Sequence, residues 1–127
     1  MKCRGIRGAT TVDANTREDI LASTRELLQQ IVKANGVQED DVACILFTTT
    51  SDLNAEFPAA AARELGLSHA PLLCSHEIGV PGSLPMCLRV LLLFNTERSA
   101  EEIDHVYIKG AKNLRPANSD QPGKAEG

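Results

Sequence analysis

The sequence predicts an α+β domain: a mixed five-stranded sheet carrying one long helix and one short helix. Two observations predict it. Residues 16–35 hold the one long stretch with apolar side chains at helical spacing, while five shorter segments alternate or run apolar as strands do. Cys87 to Phe94 reads Cys-Leu-Arg-Val-Leu-Leu-Leu-Phe, a near-continuous apolar run of the kind found in strands covered on both faces. One helix and a half can cover only one face of such a sheet. The other face is therefore expected to be buried by another subunit, giving an obligate homo-oligomer.

Residues 2–12 alternate as a first strand, with Cys3, Gly5, Arg7, Ala9 and Thr11 on one face and Arg4, Ile6, Gly8, Thr10 and Val12 on the other. Thr16 followed by Asp19 forms a capping-box pattern with Asp in place of Glu, and Asn35-Gly36 supplies a stop. Between them Ile20, Thr24, Leu27, Leu28, Ile31 and Val32 make one apolar helix face. A second strand, Val42 to Thr50, ends in the hydroxyl-rich run Thr48-Thr49-Thr50-Ser51-Asp52, which suits turns and caps. Phe57 to Gly66 reads as a short helix with Pro58 near its first position. Pro71 to Cys74 is a third strand, followed by a Gly/Pro loop and the central strand Cys87 to Phe94. Ser99 with Glu102 caps a single helical turn, His105 to Lys109 is the last strand, and Ala111 to Arg115 continues extended or turned. Residues 1–116 form the domain, and residues 117–127 are a polar tail rich in Pro and Gly.

At 127 residues the chain is one domain. Three Phe and one Tyr are its only aromatic residues, so the core must be aliphatic. A net charge of -4, with no basic run and no stacking platform, argues against a nucleic-acid partner and against anionic membranes. No apolar stretch reaches spanning length, and the first residues enter a strand without a signal-peptide core, so a cytoplasmic protein is expected. Cys3, Cys44, Cys74 and Cys87 show no metal-like spacing and read by default as buried thiols.

Arg89 interrupts the most buried strand. A guanidinium stays charged, so it needs a carboxylate or other acceptors, from the protein or from a ligand. Glu77 is the nearest acid upstream, and a structural Arg-Glu pair and a ligand-binding pair both satisfy the requirement. Arg7, flanked on its face by Gly5 and Ala9, either lines a recess suited to an anion or reaches solvent while the glycines allow close packing. Arg63 reads by default as a solvated helix charge. Cys74 and His76 share a strand face without nucleophile-base geometry, which disfavours covalent catalysis. Arg7, Arg63, Arg89, Arg115, Glu77, Cys74 and Tyr107 together form a donor-rich set. It can clamp a dianionic small molecule and stabilise a transition state by orientation and electrostatics.

Four segments carry a resemblance: RGIRGATTV at 4–12, FPAAAARELG at 57–66, PGSLPMCLRVLL at 81–92 and HVYIKGAKNLRP at 105–116. They resemble the monofunctional chorismate mutases of the trimeric α+β class, in order and almost without gaps from residue 2 to residue 116. The resemblance implies a barrel-like homotrimer with active sites at subunit interfaces and no cofactor or metal. Its reaction is the pericyclic [3,3] isomerisation of chorismate to prephenate, on the shikimate route to phenylalanine and tyrosine. By motif, Arg7 would hold a substrate carboxylate with help from Tyr107, and Arg89 would donate to the ether oxygen as the C–O bond breaks. Glu77, with Cys74, would bind the ring hydroxyl. Phe57, Ala59 and Arg63 would come from the neighbouring subunit, and Leu114 with Arg115 would close the site. Ala60 stands where the family commonly has lysine, and Leu73, also at the pocket, stands where threonine is found. One rim charge and one polar contact are missing. Two other readings stay open: a trimeric deaminase acting on enamines, which shares a similar fold, and a non-catalytic trimer binding an acidic metabolite.

Overall fold

The computed structural model of the protein describes residues 1–114; Arg115 and the tail at 117–127 lie outside the described residues. In chain order the elements are β1 (Lys2–Thr11), α1 (Arg17–Asn35), β2 (Val42–Thr49), α2 (Ala59–Glu64), β3 (Leu72–His76), β4 (Cys87–Thr96) and β5 (Val106–Tyr107). Single 3-10 turns lie at Glu39–Asp41, Ala100–Glu102 and Lys109–Ala111. The five strands form one sheet in the order β3-β2-β4-β1-β5. β4 pairs antiparallel with both β1 and β2, while β3 and β5 pair parallel at the two edges. The sheet is mixed, and Cys87 to Phe94 is its middle, as the apolar run predicts.

Helix α1 forms where the sequence caps it. The Asp19 amide donates to Thr16 Oγ1 at 3.1 Å, and Gly36 ends the helix at φ 61°, a conformation that costs a glycine little. Ile20, Leu27, Leu28 and Ile31 are fully buried and meet Ile6, Leu88, Leu92 and Phe94 from the sheet. Gly8 lets the helix approach: a Cβ there would stand 2.7 Å from Ile31 Cδ1 and 3.2 Å from the Val106 carbonyl oxygen. Asn35 does more than stop the helix. Its buried side chain donates to the carbonyls of Ile31 (3.0 Å) and Asp104 (2.9 Å) and accepts from the Asp104 amide (2.8 Å), fastening the helix end to the approach of β5.

Several boundaries differ from the sequence reading. β3 runs on to His76, because its ladder with β2 continues through Thr48 and Thr49 before the Gly/Pro loop begins. The last strand shrinks to Val106–Tyr107, because Lys109 takes φ 54° and turns the chain into a 3-10 helix. The short helix covers only Ala59–Glu64. The thiols need a correction: only Cys87 is buried, Cys44 and Cys74 are half-buried, and Cys3 is exposed. Cys3 and Cys44 belong to the sheet face that α1 does not cover.

That face is the important one. Leu88, Val90, Leu92 and Phe94 of β4 point into the core, whereas Arg89, Leu91 and Leu93 point away from the helix and are only half-buried. Gly5, Arg7 and Ala9 of β1, and Cys44, Leu46 and Thr48 of β2, stand opposite those three on the same face. Among the described residues no helix lies over them.

Two outcomes follow from this packing. Gly8→Ala pushes a methyl into Ile31 and is expected to cost about 1–3 kcal/mol, read as a lower urea midpoint at unchanged slope. Burial lifts the Cys87 thiol pKa from the ordinary 9.0 to about 11. The folded state therefore holds a proton that the unfolded state releases between those values, and stability falls as pH rises through that window. Cys87→Ala is expected to flatten the fall, which denaturation curves taken across the alkaline range will show.

Candidate active site

The exposed face of the sheet carries a recess of about 310 Å³, lined in part by Arg7, Ala9, Thr48, Arg89 and Tyr107. Pairing explains how residues so far apart in sequence meet. Ala9 stands opposite Arg89 on one side and Tyr107 on the other, and Arg89 stands opposite Thr48. Small side chains at Gly5 and Ala9 leave the space, as the alternation of β1 predicts. The Arg7 amide donates to His105 Nδ1 at 3.0 Å, which holds β5 against β1 and keeps Tyr107 beside the recess.

At the centre Arg89 Nε lies 3.0 Å from Glu77 Oε2. The N–H does not point along that line, so Nε is buried without a directed hydrogen bond, and the contact is an ion pair only. Glu77 is held from the other side. Its amide donates to the Thr49 carbonyl at 2.9 Å, and Thr48 Oγ1 donates to Oε2 at 2.8 Å. With side-chain exposures of 35% for Arg89 and 17% for Glu77, the pair is shielded enough to interact strongly yet open to a ligand. The recess thus offers guanidinium donors and a phenol, with the Glu77 carboxylate against Arg89 at its edge. That set can bind carboxylates and a hydroxyl and can stabilise negative charge developing on a bound oxygen.

The remaining expected site residues gather elsewhere. Cys74 stands opposite the core residue Phe47, so it points to the helix side, away from Arg89. A second cavity of about 330 Å³ opens there, lined by Phe57, Pro58, Cys74 and His76 among others. Phe57 is 68% exposed for a large apolar residue, Ala59 is buried, and Arg63 is exposed on α2. Burial raises the Cys74 thiol pKa, partly offset by the Ala59 backbone and the Arg63 charge, so Cys74, Ala59 and Arg63 are neighbours. His76 is exposed at the end of β3, with Nδ1 3.1 Å from Thr49 Oγ1. Leu73 is on the Arg89 face but at the outer strand, 62% exposed. Leu114 is half-buried, its amide on the Ala111 carbonyl at 3.0 Å, and does not line the recess.

One chain therefore brings together Arg7, Tyr107, Arg89 and Glu77, and separately Phe57, Ala59, Arg63 and Cys74. It does not bring Cys74 to the Arg89 recess. Thr48 escaped the sequence reading because its hydroxyl-rich run was taken for turn chemistry. The period of β2 held the signal, since alternation from Leu46 puts Thr48 on the Arg89 face.

Comparison with known proteins places the chain in a family. The family model described as chorismate mutase type I matches residues 3–118. The chain is 49% identical over 114 residues to the chorismate mutase AroH of Thermus thermophilus, covering 89% of this chain and 93% of that protein. It is 44% identical over 117 residues to the chorismate mutase AroH of Bacillus subtilis (strain 168), covering 91% and 92% respectively. A solved chorismate mutase from Clostridium thermocellum superposes with a TM-score of 0.84 at 50% identity, covering 86% of this chain and 97% of that one. A match this long, in both sequence and fold, makes the protein a member of the type I chorismate mutase family, and an isomerase of chorismate.

Proposed function

We propose that the protein converts chorismate to prephenate at sites shared between subunits of a homotrimer, each built from the Arg89 recess of one chain and the Phe57 and Cys74 region of its neighbour. The observation that carries this reading is the half-buried Arg89 guanidinium, which lines an open recess together with Arg7 and Tyr107 while Glu77 meets only its Nε. Its outer N–H groups suit an anionic ligand in that recess.

The substrate has two carboxylates and an enol ether, and only its chair-like conformer reacts. Arg7, with Tyr107, holds one carboxylate and selects that conformer, which converts a loose ensemble into an oriented reactant. Negative charge grows on the ether oxygen as the C–O bond lengthens. The Arg89 guanidinium, already in position, stabilises that charge more than it stabilises the ground state. Glu77 accepts from the ring hydroxyl. No proton leaves the substrate in a [3,3] shift, so no general base is required.

Two features support a shared site. The uncovered face with Leu46, Leu91 and Leu93 needs a cover, and Phe57 is an exposed apolar residue far from its own chain's recess. Arg63 from the neighbour adds a further positive charge at the rim, while Leu73 and Ala60 add no polar side chain there. Among the described residues no helix is long and apolar enough to cross a membrane. We place the enzyme in the cytoplasm, where four unpaired cysteines stay reduced. The deaminase and binding-module readings give no reason for a Glu77-paired Arg89 to line one cavity with Arg7 and Tyr107.

Chorismate consumption by the purified trimer tests the reaction. Arg89→Ala is expected to lower kcat by roughly 100 to 1000-fold with an unchanged melting curve, and a loss below tenfold would remove Arg89 from the mechanism. Mixing tests the shared site. Arg89→Ala and Arg63→Ala chains, denatured and refolded together in equal amounts, are expected to regain about a quarter of the parent activity, because each half-site is drawn from an independent pool. Recovery of nothing beyond the two separate variants means that each site lies within one chain.

A further inference from the structure

We infer that Thr48 is a positioning residue for the reaction, holding Glu77 so that Arg89 keeps its donors free for the substrate. The inference rests on the proposed roles of Glu77 and Arg89 and adds a residue to them. A carboxylate beside a guanidinium normally closes into a two-pronged pair, each oxygen taking one N–H. Here it does not. Thr48 Oγ1 donates to Glu77 Oε2 at 2.8 Å, and the same oxygen faces Arg89 Nε at 3.0 Å, off the N–H direction. Oε1 takes part in neither contact.

The geometry of the anchor explains why the carboxylate stays there. Glu77 is tied twice to β2, by its amide to the Thr49 carbonyl and by its carboxylate to the Thr48 hydroxyl. Thr48 in turn is fixed by the ladder, standing directly opposite Arg89 on β4 and Ser75 on β3. Glu77 therefore cannot swing into the fork of Arg89 without giving up a hydrogen bond to a charged group, the stronger kind. Two consequences come from one hydroxyl: Oε1 is left to accept from the ring hydroxyl, and the outer N–H groups of Arg89 are left for the ether oxygen. Loss of the hydroxyl lets the acid and the guanidinium satisfy each other.

Four variants test it, assayed for kcat and KM on chorismate alongside thermal melts. Thr48→Val keeps the branched shape that suits a strand and removes only the donor. It is expected to lower kcat roughly 10- to 100-fold, with a smaller change in KM and the parent melting temperature, while Thr48→Ser stays within about threefold of the parent. In a Glu77→Gln background the Thr48→Val change is expected to cost less than about threefold more, because its effect runs through the carboxylate. If Thr48→Val melts early, Thr48→Ala removes the same donor without adding a methyl and is read in its place. Parent-like kcat in the donor-free variant overturns the inference, as does an undiminished loss in the Glu77→Gln background or a failure of serine to restore activity. Arg89→Ala run alongside separates the two levels. If it too is fully active, the site reading itself fails; if it is crippled while Thr48→Val is normal, only the role of Thr48 falls.

Discussion

A permanent positive charge in the middle strand of the sheet is the constraint on which the rest of this structure depends. Arg89 cannot lose its proton, so its surroundings must supply compensation. The chain supplies it sparingly. One carboxylate, Glu77, approaches a single guanidinium nitrogen and is itself restrained by Thr48 and by the backbone of Thr49. A fully satisfied pair would be quieter energetically and of no use to a ligand, because its donors would already be spent. The sheet around it is arranged to keep the pair accessible: Gly5 and Ala9 withhold bulk on one side, and β5 is reduced to two residues that bring Tyr107 to the rim.

The second constraint is the division of the sheet into a finished face and an unfinished one. Helix α1, with α2 beside it, covers most of one face, through Gly8 and the side chains of Leu27 and Ile31. Leucines on the other face remain half-exposed, in the same rows as the charged pair. In the proposed trimer, association and catalysis would draw on one surface. A neighbour covering the leucines would also dry the recess beside them, and a drier recess makes each charge-assisted hydrogen bond stronger.

Most of this was legible in the sequence, for physical reasons that differ by element. The middle strand announced itself because eight residues of apolar run with one arginine have few other places to go. The long helix was legible from its period and from Thr16 and Gly36, whose roles are local. What escaped depends on non-local geometry. Cys74 and Glu77 are three residues apart, so alternation carried on past Cys74 puts them on opposite faces; ending the third strand at Cys74 hid that, because β3 in fact runs on to His76. Lys109 breaks the last strand through a positive φ that lysine rarely adopts, so composition gave no warning. Thr48 was hidden among neighbours with equally plausible turn roles. The thiols were misjudged because burial was taken as the default for a cysteine, while Cys3 and Cys44 sit on the face that α1 leaves open.

The strand order has a consequence for how the molecule is made. β1 and β2 are joined early through α1, yet they never touch; both pair with β4, which is synthesised last of the three. Until about residue 96 has left the ribosome, no antiparallel ladder in the sheet can form, and two strands wait with unpaired edges. Contacts of such long sequence separation make for slow closure. The nascent chain therefore passes through an interval in which helix α1 can form and cap itself while its apolar face has β1, β2 and α2, but not the middle strand, to pack against. Apolar surface left open in that interval favours aggregation.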